Sequence, residues 1–137
     1  DQMIMMVKDY SRAIDYVEEK DEFLNEVYYY GISWGGMLGP LFLANEDRIK
    51  KAVWQVAGLG VRKTRPEANP LTFLSRINKP VLMLNGIYDQ YFPFETSQKP
   101  MYDLLSLQEP MKKMITYKSA HSPPGSQTSK EILNWFK

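Results

Sequence analysis

The sequence predicts an α/β protein: a parallel sheet of about four strands with helices on both faces. Three observations lead there. Apolar strand-like runs alternate with segments of helical periodicity, in the order helix, strand, helix, strand, helix, strand, helix, strand, helix. The 137 residues, 44% hydrophobic and 13% aromatic, suffice for one domain with a real core but not for two. A serine among glycines, Gly31-Ile32-Ser33-Trp34-Gly35-Gly36, falls where a strand passes into a helix.

Residues 3–20 read as an amphipathic helix, with Met3, Val7, Tyr10, Ile14 and Val17 on one face. Val27 to Tyr30 is a short strand. The next helix runs from about Gly35 to Ala44, with Pro40 inside it as a source of kinking. Lys50 to Val56 is a strand ended by Gly58-Leu59-Gly60. A connection through Pro66 and Pro70 leads to a short helix bearing Phe73, Leu74 and Ile77. Pro80 to Leu84 reads as a buried strand, and Asn85-Gly86 as a sharp turn. Phe94 to Ser106 is helical in part, with Pro100 opening its main segment. Met111 to Tyr117 is the last strand, and Lys112 and Lys113 suit a sheet edge. Thr128 and Glu131 have the spacing of a capping box for the last helix.

Composition excludes several function classes. The formal net charge is +1, so nothing points to nucleic acid or an anionic membrane surface. Residues 1–30 carry eight acidic side chains against Lys8, Arg12 and Lys20, while residues 111–137 carry five lysines against Glu131. Solvated helix faces account for that asymmetry. The absence of cysteine removes disulfides, zinc-thiolate sites and a cysteine nucleophile. No apolar run approaches the roughly 20 residues that span a bilayer. The compartment is open, with a soluble cytoplasmic chain as the expectation. The start at Asp1, inside a helical pattern, suggests an excised piece of a longer protein.

The pattern G-x-S-x-G at Gly31 to Gly35 is that of a nucleophile elbow. A serine on so tight a turn needs small neighbours two residues away, which Gly31 and Gly35 supply. It also sits at a helix N-terminus, where free N–H groups favour developing negative charge. An activated serine needs a base, and the base an orienting acid. His121 is the one histidine, 88 positions after Ser33 and just beyond the last strand. Asp89 follows the strand before it. The strand ending at Gly58 has no carboxylate near its end, and Glu95, Asp103 and Glu131 fall in or near helices. Ser33, Asp89 and His121 then stand in the order expected of a strand-edge triad.

These motifs resemble the C-terminal half of an α/β-hydrolase, near the dienelactone hydrolase, acetyl xylan esterase and prolyl oligopeptidase-like branch. The resemblance covers residues 3–137, as one partial domain. It rests on Tyr30 to Gly36, on Pro80 to Asp89 with Phe92-Pro93, and on Ala120-His121. It implies Ser33 as nucleophile, His121 as general base and Asp89 as its acid. It implies the backbone N–H of Trp34 as one oxyanion donor, with no metal or organic cofactor. The implied reaction is hydrolysis of an ester, thioester or amide through an acyl-enzyme, on a small-molecule ester or a peptide. A prolyl oligopeptidase-like peptidase is the alternative, as is a noncatalytic fragment that binds a partner.

The family's first four strands have no counterpart here, nor does the loop that supplies its second oxyanion donor. The expected partner is therefore the missing N-terminal half or a second copy. The connection between the second and third strands, about twenty residues, is too short for a lid domain and predicts an open site. Arg62, Lys63 and Arg65 would favour an anionic substrate at its rim, or serve only as solubilising loop charges.

Overall fold

Parallel strands require a crossover that returns the chain to the same end of the sheet, and the helices between the strands provide it. The computed structural model describes residues 2–60 and 64–137. The chain runs through α1 (Gln2–Glu18), β1 (Val27–Ile32), α2 (Trp34–Asn45) and β2 (Ile49–Gln55). Two 3₁₀ segments, Pro66–Ala68 and Pro70–Arg76, lead to β3 (Val81–Gly86). A π-helical turn, Phe94–Gln98, passes directly into α3 (Lys99–Asp103), followed by β4 (Lys112–Tyr117) and α4 (Gly125–Phe136). The four strands are all parallel and lie in the order β1-β2-β3-β4.

Side chains alternate across the sheet and divide the core in two. Tyr29, Ala52, Trp54, Val81 and Met83 face α1, α2, the second 3₁₀ segment and Met101 of α3. Val53, Leu82 and Leu84 face the other way, onto Ile132, Trp135 and Phe136 of α4. Helices therefore cover both faces, as expected. β1 has no further strand beside it among the described residues. On its α4 side Tyr28 stacks on Phe136, while Tyr30 and Ile32 are about half exposed.

Several local readings change. The α1 stripe is built from Met3, Met6, Val7, Tyr10 and Ile14, and Val17 is 46% exposed because the helix end lies beyond the sheet core. Asn85 and Gly86 are not a turn but the last residues of β3, both buried. The Asn85 amide accepts from Ala57 N–H (2.9 Å) and donates to Ala57 carbonyl (3.1 Å), extending the sheet ladder by side chain. α4 starts at Gly125, three residues before Thr128, so the capping box does not form. Thr128 Oγ1 instead donates to the carbonyls of Pro124 (3.2 Å) and Gly125 (3.0 Å). Lys113 is exposed on the edge strand β4, but Lys112 turns inward. Its ammonium donates to the carbonyls of Tyr102 (3.1 Å) and Leu105 (2.9 Å), closing the end of α3.

One ion cluster joins α1 to the corner between α2 and β2. The Arg48 guanidinium donates to Glu46 (2.7 Å), Asp15 (2.6 Å) and Glu18 (2.8 Å). Its hydrogen bonds hold the buried Glu46 carboxyl at about 2, against an ordinary 4.5, although burial pulls the other way. A carboxyl depressed by folding stabilises the fold above its unfolded value, and that contribution is lost as pH falls through the folded value. The difference corresponds to about 3 kcal/mol. Glu46→Gln should therefore lower stability by roughly 2–4 kcal/mol at neutral pH. It should also flatten the loss of stability between pH 4.5 and 2. Urea denaturation at a series of pH values measures both; a variant with the wild-type acid limb would remove Glu46 from this role.

Candidate active site

Ser33 is the residue between β1 and α2, and its backbone takes φ 55 and ψ −112. A non-glycine residue is strained there by about 1–3 kcal/mol and needs its surroundings to hold it. They do so through the backbone. Ser33 N–H donates to Gln55 carbonyl (2.9 Å), Met37 N–H donates to Ser33 carbonyl (2.9 Å), and the Tyr29 hydroxyl donates to Gly35 carbonyl (2.6 Å).

The glycines around the turn divide differently from the expectation. A Cβ on Gly31 would lie 2.6 Å from the Gly35 carbonyl, so this glycine is required by the close passage of the helix start. A Cβ on Gly35 would meet nothing nearer than the Tyr29 hydroxyl at 4.0 Å. The second necessary glycine is Gly36, whose Cβ would fall 2.6 Å from Ala57 Cβ and 3.1 Å from Gly31 carbonyl. The local spacing rule missed this because the obstacle, Ala57, arrives from β2. Sequence patterning likewise gave no sign of Val56, which takes φ 46 as β2 leaves the sheet.

Asp89 and His121 reach the same sheet edge from the ends of β3 and β4. Their loops are tied together: Ile87 N–H donates to Tyr117 carbonyl (3.0 Å) and Tyr88 N–H to Ser119 carbonyl (3.0 Å). Asp89 is only 3% exposed. One of its oxygens, Oδ1, accepts from the N–H groups of Tyr91 (2.8 Å) and Phe92 (3.1 Å). The other, Oδ2, lies 2.7 Å from His121 Nδ1, and His121 Nε2 lies 2.8 Å from Ser33 Oγ. A carboxylate only accepts, so Nδ1 carries the proton and Nε2 accepts from the serine hydroxyl. The imidazole packs against the rings of Tyr91 and Phe92, with centroids 4.8 and 5.9 Å away. The three residues singled out in the sequence thus form one continuous hydrogen-bonded chain. Such a chain is the arrangement that activates serine for attack on a carbonyl carbon.

The backbone N–H of Trp34 opens α2 and has no helical carbonyl to pair with. A cavity of about 660 Å³ begins at Ser33. Its walls include Met37, Leu38, Leu59, Leu71, Tyr91 and Phe92, with Thr64 and Asn69 as polar groups. The connection between β2 and β3 therefore forms a wall of the site rather than leaving it bare. Arg65 does not line the cavity, and Arg62 and Lys63 lie outside the described residues. Among the described residues no three His, Asp or Glu side chains gather to hold a metal ion.

No protein-family model matches this sequence, and no curated protein matches it. Solved structures do. A provisionally named dienelactone hydrolase from Klebsiella pneumoniae superposes with TM-score 0.83 at 20% identity, over 98% of this chain and 61% of that one. The chain has the fold of the C-terminal half of an α/β-hydrolase. It spans about three fifths of that neighbour. The Est1E protein of Butyrivibrio proteoclasticus, solved with ferulic acid bound, matches with TM-score 0.73 and 18% identity over 98% of this chain and 69% of its own. A provisionally named dipeptidyl aminopeptidase IV from Bacteroides ovatus matches with TM-score 0.81 and 14% identity, over 98% of this chain and 22% of its own. In this α/β-hydrolase fold Ser33, Asp89 and His121 all sit at the C-terminal ends of parallel strands, where open α/β sheets hold their ligands.

The glycine assignment is open to direct test. Gly36→Ala should destabilise the protein by about 1–3 kcal/mol through overpacking against Ala57. Gly35→Ala should be neutral or stabilising by up to about 1 kcal/mol, because alanine is the better helix former. Chemical denaturation of both variants decides the matter; equal destabilisation would contradict it.

Proposed function

We propose that this chain carries the catalytic centre of a serine hydrolase that cleaves a carboxylic ester, or a thioester or amide, through an acyl-enzyme. The observation supporting it most strongly is the unbroken path from Asp89 Oδ2 to His121 (2.7 Å) and from His121 to Ser33 Oγ (2.8 Å). In this reading Ser33 Oγ attacks the substrate carbonyl while His121 Nε2 takes its proton. Asp89 keeps the imidazole in the tautomer that accepts there and stabilises the imidazolium that forms. The Trp34 N–H, with the N-terminus of α2 behind it, receives the oxyanion. His121 returns the proton to the leaving oxygen or nitrogen. Water then enters by the same acid–base route, displaces the acyl group and restores Ser33.

The apolar cavity beside Ser33 supports a substrate with an apolar acyl or alcohol portion. A prolyl oligopeptidase-like peptidase, with a peptide as its substrate, is the second reading, favoured by the likeness to the dipeptidyl aminopeptidase structure. Turnover of matched p-nitrophenyl esters and p-nitroanilides separates the two.

A fluorophosphonate probe should label the protein at Ser33, and Ser33→Ala should abolish the labelling. Asp89→Asn should lower kcat for a p-nitrophenyl ester by roughly 10³–10⁴-fold, because the imidazole is then held in the wrong tautomer. Asp103→Asn, an exposed carboxylate paired with Lys99, should change kcat less than about twofold. An unlabelled wild-type protein, or equal effects at the two aspartates, would sink this assignment.

A further inference from the structure

Asp89 is held by a loop, and that loop is itself held by one buried side chain. Gln98 closes the π-helical turn Phe94–Gln98 and is fully buried. Its amide nitrogen donates two hydrogen bonds, to Gly86 carbonyl (2.9 Å) and to Phe92 carbonyl (2.8 Å). Both neighbours are acceptors, which assigns the nitrogen rather than the oxygen to this position. Gly86 is the last residue of β3, and Phe92 is the last residue to donate to Asp89. The two carbonyls thus bracket the segment that carries the carboxylate.

The bonds inside that bracket are coupled to it. Asp89 N–H donates to the same Gly86 carbonyl (3.3 Å), and Phe92 N–H donates to Asp89 Oδ1 (3.1 Å). Each end of the loop therefore has one contact to Asp89 and one to Gln98. A hydrophobic residue would leave the buried Phe92 carbonyl unpaired and the Gly86 carbonyl with only the long bond from Asp89 N–H, and lysine would bury a charge. π-helical turns are frequent at functional sites, and this one presents Gln98 to the loop.

We propose that Gln98 is a positioning residue: by clamping the carbonyls of Gly86 and Phe92 it sets the distance and orientation of the Asp89 carboxylate toward His121. It touches neither the reacting atoms nor the three side chains of the proposed centre. The inference rests on the serine hydrolase reading for its catalytic consequence, but not for its geometric one.

The test uses Gln98→Met, which keeps the side-chain length and removes both donors. The proton between His121 Nδ1 and Asp89 Oδ2 should give a far-downfield proton resonance in the wild-type protein, and Gln98→Met should broaden or shift it upfield. Turnover of a p-nitrophenyl ester should show kcat lowered at least tenfold with KM changed less than about threefold, and fluorophosphonate labelling should slow in parallel. Ile49→Val, in the core at the end of β2 opposite the loop, controls for destabilisation alone: it should lower the melting temperature while leaving resonance and kcat in place. Should Gln98→Met fail to fold, Gln98→Asn retains the amide but cannot span both carbonyls, and the same readouts should move in the same direction. A wild-type resonance and wild-type kcat in either variant would overturn the proposal. A protein that the probe does not label would sink the hydrolase reading, while the resonance would still decide for or against the clamp.

Discussion

A carboxylate that is 97% withdrawn from water must have its oxygens filled, and much of the architecture around the site follows from that requirement at Asp89. Two backbone N–H groups fill one oxygen and the imidazole of His121 fills the other. Those partners exist only if the loop after β3 curls back on itself and the loop after β4 comes alongside. The first condition draws on the buried amide of Gln98, the second on the backbone bonds linking Ile87 and Tyr88 to β4 and beyond. Even Gly86 belongs to this arrangement. A side chain there would run into the carbonyls of Ser119 and Ala120, the residues that lead directly to His121.

Ser33 meets the same edge under a different constraint. Its backbone is strained, so the turn must be gripped from several sides. The grip comes from β2 through the Gln55 carbonyl, and from β1 through the Tyr29 hydroxyl. Parallel pairing makes this consistent, because Ile32 stands opposite Gln55 and the two strands end together. The sheet register thus brings the serine turn and the acid and base loops to one height. A slip of one residue in β1 would both move Ser33 and turn Tyr29 to the wrong face.

What could be read in advance was what is encoded locally. The alternation of apolar runs and helical stripes carries the α/β class. One histidine in the chain leaves one candidate base, and the glycines around Ser33 mark the turn. Asp89 was reachable because acids at strand ends are few. The remainder lies in contacts between distant segments. Gly36 is required by Ala57, 21 positions later, while Gly35, which fits the motif, is not. Asn85-Gly86 has the composition of a turn, yet Asn85 bonds to Ala57 across the sheet and keeps β3 extended. Thr128 and Glu131 have capping spacing, but the prolines at 123 and 124 set the helix start earlier. Gln98 is invisible to periodicity altogether, since a glutamine on a helix is ordinarily a solvated one.

The connection between β2 and β3 shows how far a short segment can shape a site. Length alone argues against a lid domain, and among the described residues the connection forms two short 3₁₀ segments. Yet Leu59, Ala68, Pro70 and Leu71 bring apolar surface to the cavity at Ser33. They can do so because the segment is anchored at both ends. Leu59 exchanges hydrogen bonds with Ser97, through N–H to carbonyl (3.2 Å) and hydroxyl to carbonyl (2.8 Å). At the far end Phe73, Leu74 and Ile77 are buried in the main core. Ser97 lies in the π-helical turn that also carries Gln98. One turn of five residues therefore fixes two things at once: the wall of the cavity through Ser97, and the acid loop through Gln98. The cavity and the hydrogen-bonded chain beside it are thereby tied to the same element, and a shift of that turn would be felt by both.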